Sequence, residues 1–171
     1  MENKVIIRKA TLNDLTKILE IYEIARNYMK ENGNSTQWKN NYPPKELLVE
    51  DIKEGILFVI EENEVVHAVF AFILGEDPTY LDIKDGAWLN DSPYGTIHRI
   101  ASDRKIKHSL LRAINFGLTK INHIRIDTHL DNKIMNESLL KYGFKKTGTI
   151  ICSDGTPRAA YEFLSKFKKI K

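Results

Sequence analysis

Residues 132–144 read Asn132-Lys-Ile-Met-Asn-Glu-Ser-Leu-Leu-Lys-Tyr-Gly143-Phe144. An Asn at the start, good helix formers through the middle and a closing Gly predict a helix over 132–142 stopped by Gly143. On its N-terminal side, residues 124–128 are an apolar strand pattern, with Arg125, Asp127 and His129 alternating on the other face. On its C-terminal side, residues 145–152 and 158–163 read as two strands joined by the turn Ser153-Asp154-Gly155-Thr156-Pro157. Further upstream lie a helix over 109–120 and a strand over 96–101. Before these, residues 75–93 carry turn signals, two aromatics and four aspartates, and read as a long irregular excursion of the kind that is often functional.

The N-terminal half completes the pattern. A β-branched run at 5–8 is followed by Thr11-Leu-Asn-Asp14, a capping-box spacing with an acid in the usual Glu/Gln place. Leu15, Ile18, Leu19, Tyr22, Ala25 and Met29 then recur at helical steps until Asn32-Gly33. Pro43-Pro44 opens a second helix with Leu47, Leu48 and Ile52 as its apolar stripe, and Gly55 follows its end. Residues 56–60 and 65–74 predict a β-hairpin turning at 61–64, with the second strand largely buried. The order β α α β β β α β α β β predicts an α/β domain around one mixed, mostly antiparallel central sheet.

Composition narrows the function classes. The chain has 171 residues, 42% apolar and 29% charged, as an ordinary globular domain does. At this length about 70% of the unfolded surface is buried, so the core needs no staples. Cys152 is the single cysteine, which excludes an internal disulfide, and no Cys/His cluster has metal spacing. Lys and Arg number 26 against 23 Asp and Glu, and a net charge of +3 does not argue for nucleic acid. The longest apolar run, Ala68 to Leu74, is far too short for a membrane span. The start Met-Glu-Asn-Lys has no apolar leader, so the expected location is cytoplasmic. A basic end at residues 165–171 reads as a solvated tail.

The same segments resemble the GNAT superfamily of N-acetyltransferases. Asn132, Lys141, Gly143 and Phe144 match its helix with an early Asn and a Lys-x-Gly-Phe ending. Tyr94-Gly-Thr-Ile-His98-Arg99-Ile-Ala-Ser102 is similar to its central strand, and Ile124-Arg-Ile-Asp-Thr-His129 to the splayed neighbour of that strand. The stretch from Asp77-Pro-Thr-Tyr80 to Trp88-Leu-Asn-Asp91 is similar to a bacterial branch. The resemblance covers about residues 5–164 and is most specific in the last part of the chain. It implies a sheet with splayed central strands flanked by helices, and acetyl-CoA as co-substrate without a metal.

In that family, backbone groups near Ile100, Ala101 and Ser102 would pair with the pantetheine arm, and Asn132 belongs to the coenzyme side. The pyrophosphate is held by a loop and helix N-terminus, where orphan amides and the dipole favour anions. Members place an Arg or Gln there, followed by two glycines. The matching window is Lys105-Ile106-Lys107-His108-Ser109-Leu110: Lys105 stands at the Arg/Gln position, and His108 and Leu110 replace both glycines. Cβ atoms at those positions could crowd a phosphate, while Arg104, Lys105, Lys107 and His108 offer compensating charge. The bland alternative is a solvated basic loop without a ligand.

The implied reaction is direct attack of an amine on the thioester. The amine must lose a proton, and the candidate bases are His98, Asp127 and His129. The developing oxyanion needs a donor, for which the amide of Ile100 or Ala101 is placed. Each polar candidate has a structural alternative, since polar groups on buried strands must be satisfied. Many members carry a Tyr as general acid where this chain has Leu139; Tyr142, one helical turn further, is the substitute candidate. On the acceptor side the resemblance places Gln37, Trp38, Tyr42, Asp77, Tyr80 and Trp88, aromatics and acids that suit a cationic amine. The two tryptophans could equally close the core under the loops. His67 and His123 read as satisfied structural residues. The expected partner is a small-molecule or peptide amine, with a homodimer left open and neither nucleic acid nor membrane expected. The rival function is a non-catalytic acyl-CoA binding or sensing module.

Overall fold

The computed structural model describes residues 3–166. Its elements follow the expected order: β1 (Val5–Lys9), α1 (Leu15–Glu31), α2 (Lys45–Lys53), β2 (Leu57–Glu62), β3 (Val65–Leu74), β4 (Gly95–Ser102), α3 (Ser109–Leu118), β5 (His123–His129), α4 (Lys133–Lys141), β6 (Lys145–Ile151) and β7 (Pro157–Leu164). The strands form one seven-stranded sheet in the order β1-β2-β3-β4-β5-β7-β6. The pairing of β4 with β5 is parallel, whereas β1–β2, β2–β3, β5–β7 and β6–β7 are antiparallel. The mixed, mostly antiparallel sheet is therefore as expected. The β4–β5 ladder consists of Gly95↔Ile124 and Thr96↔Arg125, and β4 runs on through residues 97–102 beyond it.

The chain forms two compact units, the first running to Phe72 and taking in His98–Ala113. Here β1, β2 and β3 make an antiparallel meander. Its hairpin turn is Asn63-Glu64, both with positive φ, and β2 runs two residues further than the sequence pattern implies. Thr11 donates its N–H to Asp14 Oδ2 at 2.8 Å, and the same carboxylate takes Arg8 Nη1 at 2.8 Å, tying β1 to the start of α1. Asp14 is thereby held below the usual carboxylate range by the Arg8 guanidinium. The α1 stripe buries Ile18, Ile21, Tyr22 and Ala25 against Leu48, Leu57, Val59, Val69 and Ala101. Each fully buried large aliphatic side chain contributes about 1.5–3 kcal/mol.

The second unit comprises Ile73–Ile97 and the chain from Ile114. In it β7 lies between β5 and β6. The excursion over residues 75–93 contains a 3-10 turn at Pro78–Tyr80 and touches β6 through an isolated bridge, Lys84↔Thr149. Tyr80, Tyr94, Ile150 and Ala160 form the core here, with Ile83 and Trp88 packed on it. Of the basic tail expected at 165–171, residues 167–171 lie outside the described residues. Among the described residues no helix is long and apolar enough to cross a membrane.

Candidate active site

The loop from Asp103 to His108 is built by side chain-to-backbone bonds. Ser102 Oγ accepts the Arg104 N–H at 2.9 Å and Asp103 Oδ1 accepts the Lys105 N–H at 2.9 Å. The other Asp103 oxygen lies 2.8 Å from His67 Nδ1, and the Asp103 N–H donates to the His67 carbonyl at 2.9 Å. Asp103 is buried, so its negative charge is turned inward and engaged. Ile106 also points into the protein, at 6% exposure, while Arg104, Lys105, Lys107 and His108 are exposed. The Arg104 guanidinium lies 3.6 Å from the Tyr28 ring centroid, a cation–π contact that fixes the loop on α1.

His108 and Arg104 adopt left-handed backbone, with φ of +61° and +68°. His108 thus takes the conformation for which a glycine would serve, at a cost of about 1–2 kcal/mol for an L-residue. Its carbonyl accepts the Arg112 N–H at 2.9 Å, the first bond of α3. Leu110, at the second glycine position, sits in the first turn of α3 and needs no special φ. The residues present therefore suit an anionic diphosphate: four exposed cationic or titratable side chains, an inward-turned carboxylate and a helix N-terminus directly behind them.

On β4 the structure reveals a constellation missed at the level of sequence. Arg99 sits mid-strand with φ of +53°. Its carbonyl accepts the Tyr22 hydroxyl at 2.7 Å, and its Nη2 donates to Asp51 Oδ2 at 2.5 Å. Burial alone would lower the Arg99 pKa, but the facing Asp51 raises it instead. Asp51 lies three residues after Leu48 and four after Leu47, which places it on the apolar face of α2; that spacing was the available signal. His98 and Ile100 are half-buried and Ala101 is buried in the core. Trp38 packs edge-on against Tyr22, with ring centroids 5.6 Å apart, and Tyr42 is 36% exposed.

The second unit holds the remaining candidates. Tyr80 is 1% exposed and donates its hydroxyl to Asp127 Oδ2 at 2.6 Å. Burial, reinforced by Asp127, pushes the Tyr80 pKa well up, so the phenol keeps its proton and remains a donor. Trp88 donates Nε1–H to the Tyr80 carbonyl at 2.8 Å, and the Arg125 guanidinium lies 4.2 Å from both the Trp88 and Tyr94 ring centroids. The excursion thus brings its aromatics together as a packed cluster. Asp77 caps the 3-10 turn by accepting the Thr79 N–H at 2.8 Å. His123 is fully buried, with Nε2 2.6 Å from Glu162 Oε1 and Nδ1 3.0 Å from Ser92 Oγ. His67 and His123 are both satisfied structural residues, as expected.

At the end of β5, His129 Nδ1 accepts the Asp131 N–H at 3.0 Å and its carbonyl accepts Asn136 Nδ2 at 3.1 Å. Asn136 Oδ1 accepts the Tyr161 hydroxyl at 2.6 Å. Asn132 caps α4, its Oδ1 taking the Met135 N–H at 3.2 Å. Leu139 is fully buried on α4, and Tyr142 is half-buried just past its end.

A mixed α/β sheet in this order, with a left-handed residue in β4 and a basic loop leading into a helix, fits an acyltransferase architecture. The chain matches no family model and no curated protein. Solved structures do match. A GNAT-family acetyltransferase from Streptococcus agalactiae 2603 is 30% identical over 95% of this chain and 96% of that one, with a TM-score of 0.84. A GNAT-family acetyltransferase from Listeria monocytogenes 4b F2365 is 20% identical over 94% and 95%, with a TM-score of 0.69. An N-acetyltransferase from Staphylococcus aureus Mu50 is 21% identical over 94% and 98%, with a TM-score of 0.59; these last two likenesses are of fold alone. The chain belongs to the GNAT family of acetyltransferases.

Proposed function

We propose that the protein transfers an acetyl group from acetyl-CoA to a primary amine of a small molecule or peptide, by direct attack. The observation that carries this reading is the loop at residues 103–108. It keeps the left-handed turns at Arg104 and His108, faces its basic side chains outward, and turns its one carboxylate away. Lys105 and Lys107 are assigned to the coenzyme phosphates, with the first-turn amides of α3 behind them. Asn132 is assigned to the coenzyme side on the resemblance given above.

Acetyl-CoA supplies an activated thioester carbonyl. His98 is assigned as the base that takes the ammonium proton, so that the amine nitrogen has a lone pair for attack. The Ile100 amide donates to the carbonyl oxygen as negative charge develops there. A C–N bond forms, the attacking nitrogen gives up its second proton to solvent, the C–S bond breaks, and the thiolate leaves to be protonated by solvent or by Tyr142. Asp127 and His129 are the other candidates, Asp127 accepting the Tyr80 hydroxyl at 2.6 Å. One observation favours the rival reading of a binding module without turnover: Leu139, where relatives carry a hydroxyl donor, is fully buried.

The test is release of the free coenzyme thiol from acetyl-CoA in the presence of polyamines, aminoglycosides and peptide amino termini. Amine-dependent release that loses its rise with pH in His98→Ala supports the enzyme reading. Coenzyme binding with no release across that panel supports the module instead.

A further inference from the structure

Three costs fall together in the middle of β4. Arg99 is an L-residue with a long side chain held at φ of +53°, where Cβ meets the carbonyl. Its guanidinium is largely removed from water and paired with buried Asp51 at 2.5 Å, an arrangement that does not by itself add stability. Its Nε is buried without a hydrogen-bond partner among the described residues. Strain of this kind persists where the surroundings over-determine it, and it points to a local task.

That task follows from the peptide unit between Arg99 and Ile100. In a trans peptide the C=O and N–H point in opposite directions. The Arg99 carbonyl is held by the Tyr22 hydroxyl at 2.7 Å, so the Ile100 N–H of the same unit is aimed directly away from Tyr22. Tyr22 is fully buried at the centre of the α1 stripe, with Trp38 against its ring, and cannot swing off the carbonyl. A donor on the carbonyl also polarises the amide, making its N–H a stronger donor in turn. The Arg99–Asp51 pair fixes the other end of the residue on α2.

We infer that Tyr22, with the Arg99–Asp51 pair, is a positioning device that holds and polarises the Ile100 amide as the donor to the thioester oxygen. The inference rests on the transfer reading above but adds residues from α1 and α2 to it. It requires that the thioester carbonyl be recognised through Tyr22, although Tyr22 touches no substrate. Burial pushes the Tyr22 pKa up, so the hydroxyl stays a donor throughout the working range.

The experiment needs no acceptor. Calorimetry compares acetyl-CoA with ethyl-CoA, a thioether of similar size that lacks the carbonyl. The native protein should prefer acetyl-CoA about fivefold, as expected for one hydrogen bond. Tyr22→Phe, which keeps the ring, should bring that ratio to about one while ethyl-CoA affinity is unchanged. Asp51→Asn, a second variant of native shape, should lower the ratio in the same direction. Folded variants that keep the native ratio would overturn the inference, as would equal binding of the two ligands by the native protein; in both cases coenzyme binding itself stands. Failure of the native protein to bind either ligand would instead overturn the transfer reading, and the inference with it.

Discussion

In the loop ahead of α3, two residues with full side chains, Arg104 and His108, take left-handed φ. In the excursion over residues 75–93, Asp85 takes the same conformation with φ of +56°, and the glycine that follows it has no alternative. A Cβ on Gly86 would lie 1.9 Å from the Thr147 carbonyl oxygen, and one on Gly148 would lie 2.5 Å from the Lys84 carbonyl oxygen. The first loop carries intrinsic strain with its side chains exposed. The second is backbone packed on backbone. The charges follow the same division: the cations of the first loop face outward, whereas Arg125 beneath the excursion is buried between Trp88 and Tyr94 and faces Glu162. The first loop presents its cations to solvent, and the second packs its aromatics on one another.

The sharpest way to break this contrast is Glu162→Gln. Glu162 faces both His123 and Arg125 and accepts the Leu89 N–H at 2.6 Å, so its carboxylate ties the excursion to β5 and β7. Removing one partner from a buried ionic network costs about 3–5 kcal/mol, and urea unfolding should show it; a change below 1 kcal/mol would mean the network is not what holds the excursion. Next in size is Gly86→Ala, expected to cost about 1–3 kcal/mol through overpacking at Thr147. A neutral outcome in thermal unfolding would show that the excursion moves freely off β6. Smallest is His108→Gly, which removes the left-handed strain and should raise stability by about 1 kcal/mol. A drop in stability would show that the His108 side chain supports the loop.

The element order was legible because most of it rests on periodicity: the α1 and α2 stripes, the β3 run and the Asn132–Gly143 helix all match the structure. The hairpin boundary slipped because Glu61 and Glu62 look like turn residues, yet they continue a strand whose side chains are half-exposed. The loop lacking glycines was readable as a departure, but not its outcome, since φ at a histidine is not written in its residue type. Aromatics in an aperiodic excursion carry no face, so nothing in the sequence separates an acceptor lining from the packed cluster that Tyr80 and Trp88 form. Arg99 and Asp51 went unread, although Asp51 stands at helical spacing from Leu47 and Leu48. What joins them, a left-handed residue in one strand and a helix end 48 residues away, is tertiary.

The central claim is that the loop at residues 103–108 holds a coenzyme phosphate although both family glycines are replaced. Calorimetric titration of the native protein with acetyl-CoA, beside Lys105→Glu, tests it most directly. The account predicts micromolar binding that weakens about tenfold in the variant, as expected when a cation at a phosphate is replaced by an anion. No binding up to millimolar acetyl-CoA by protein shown to be folded would contradict it.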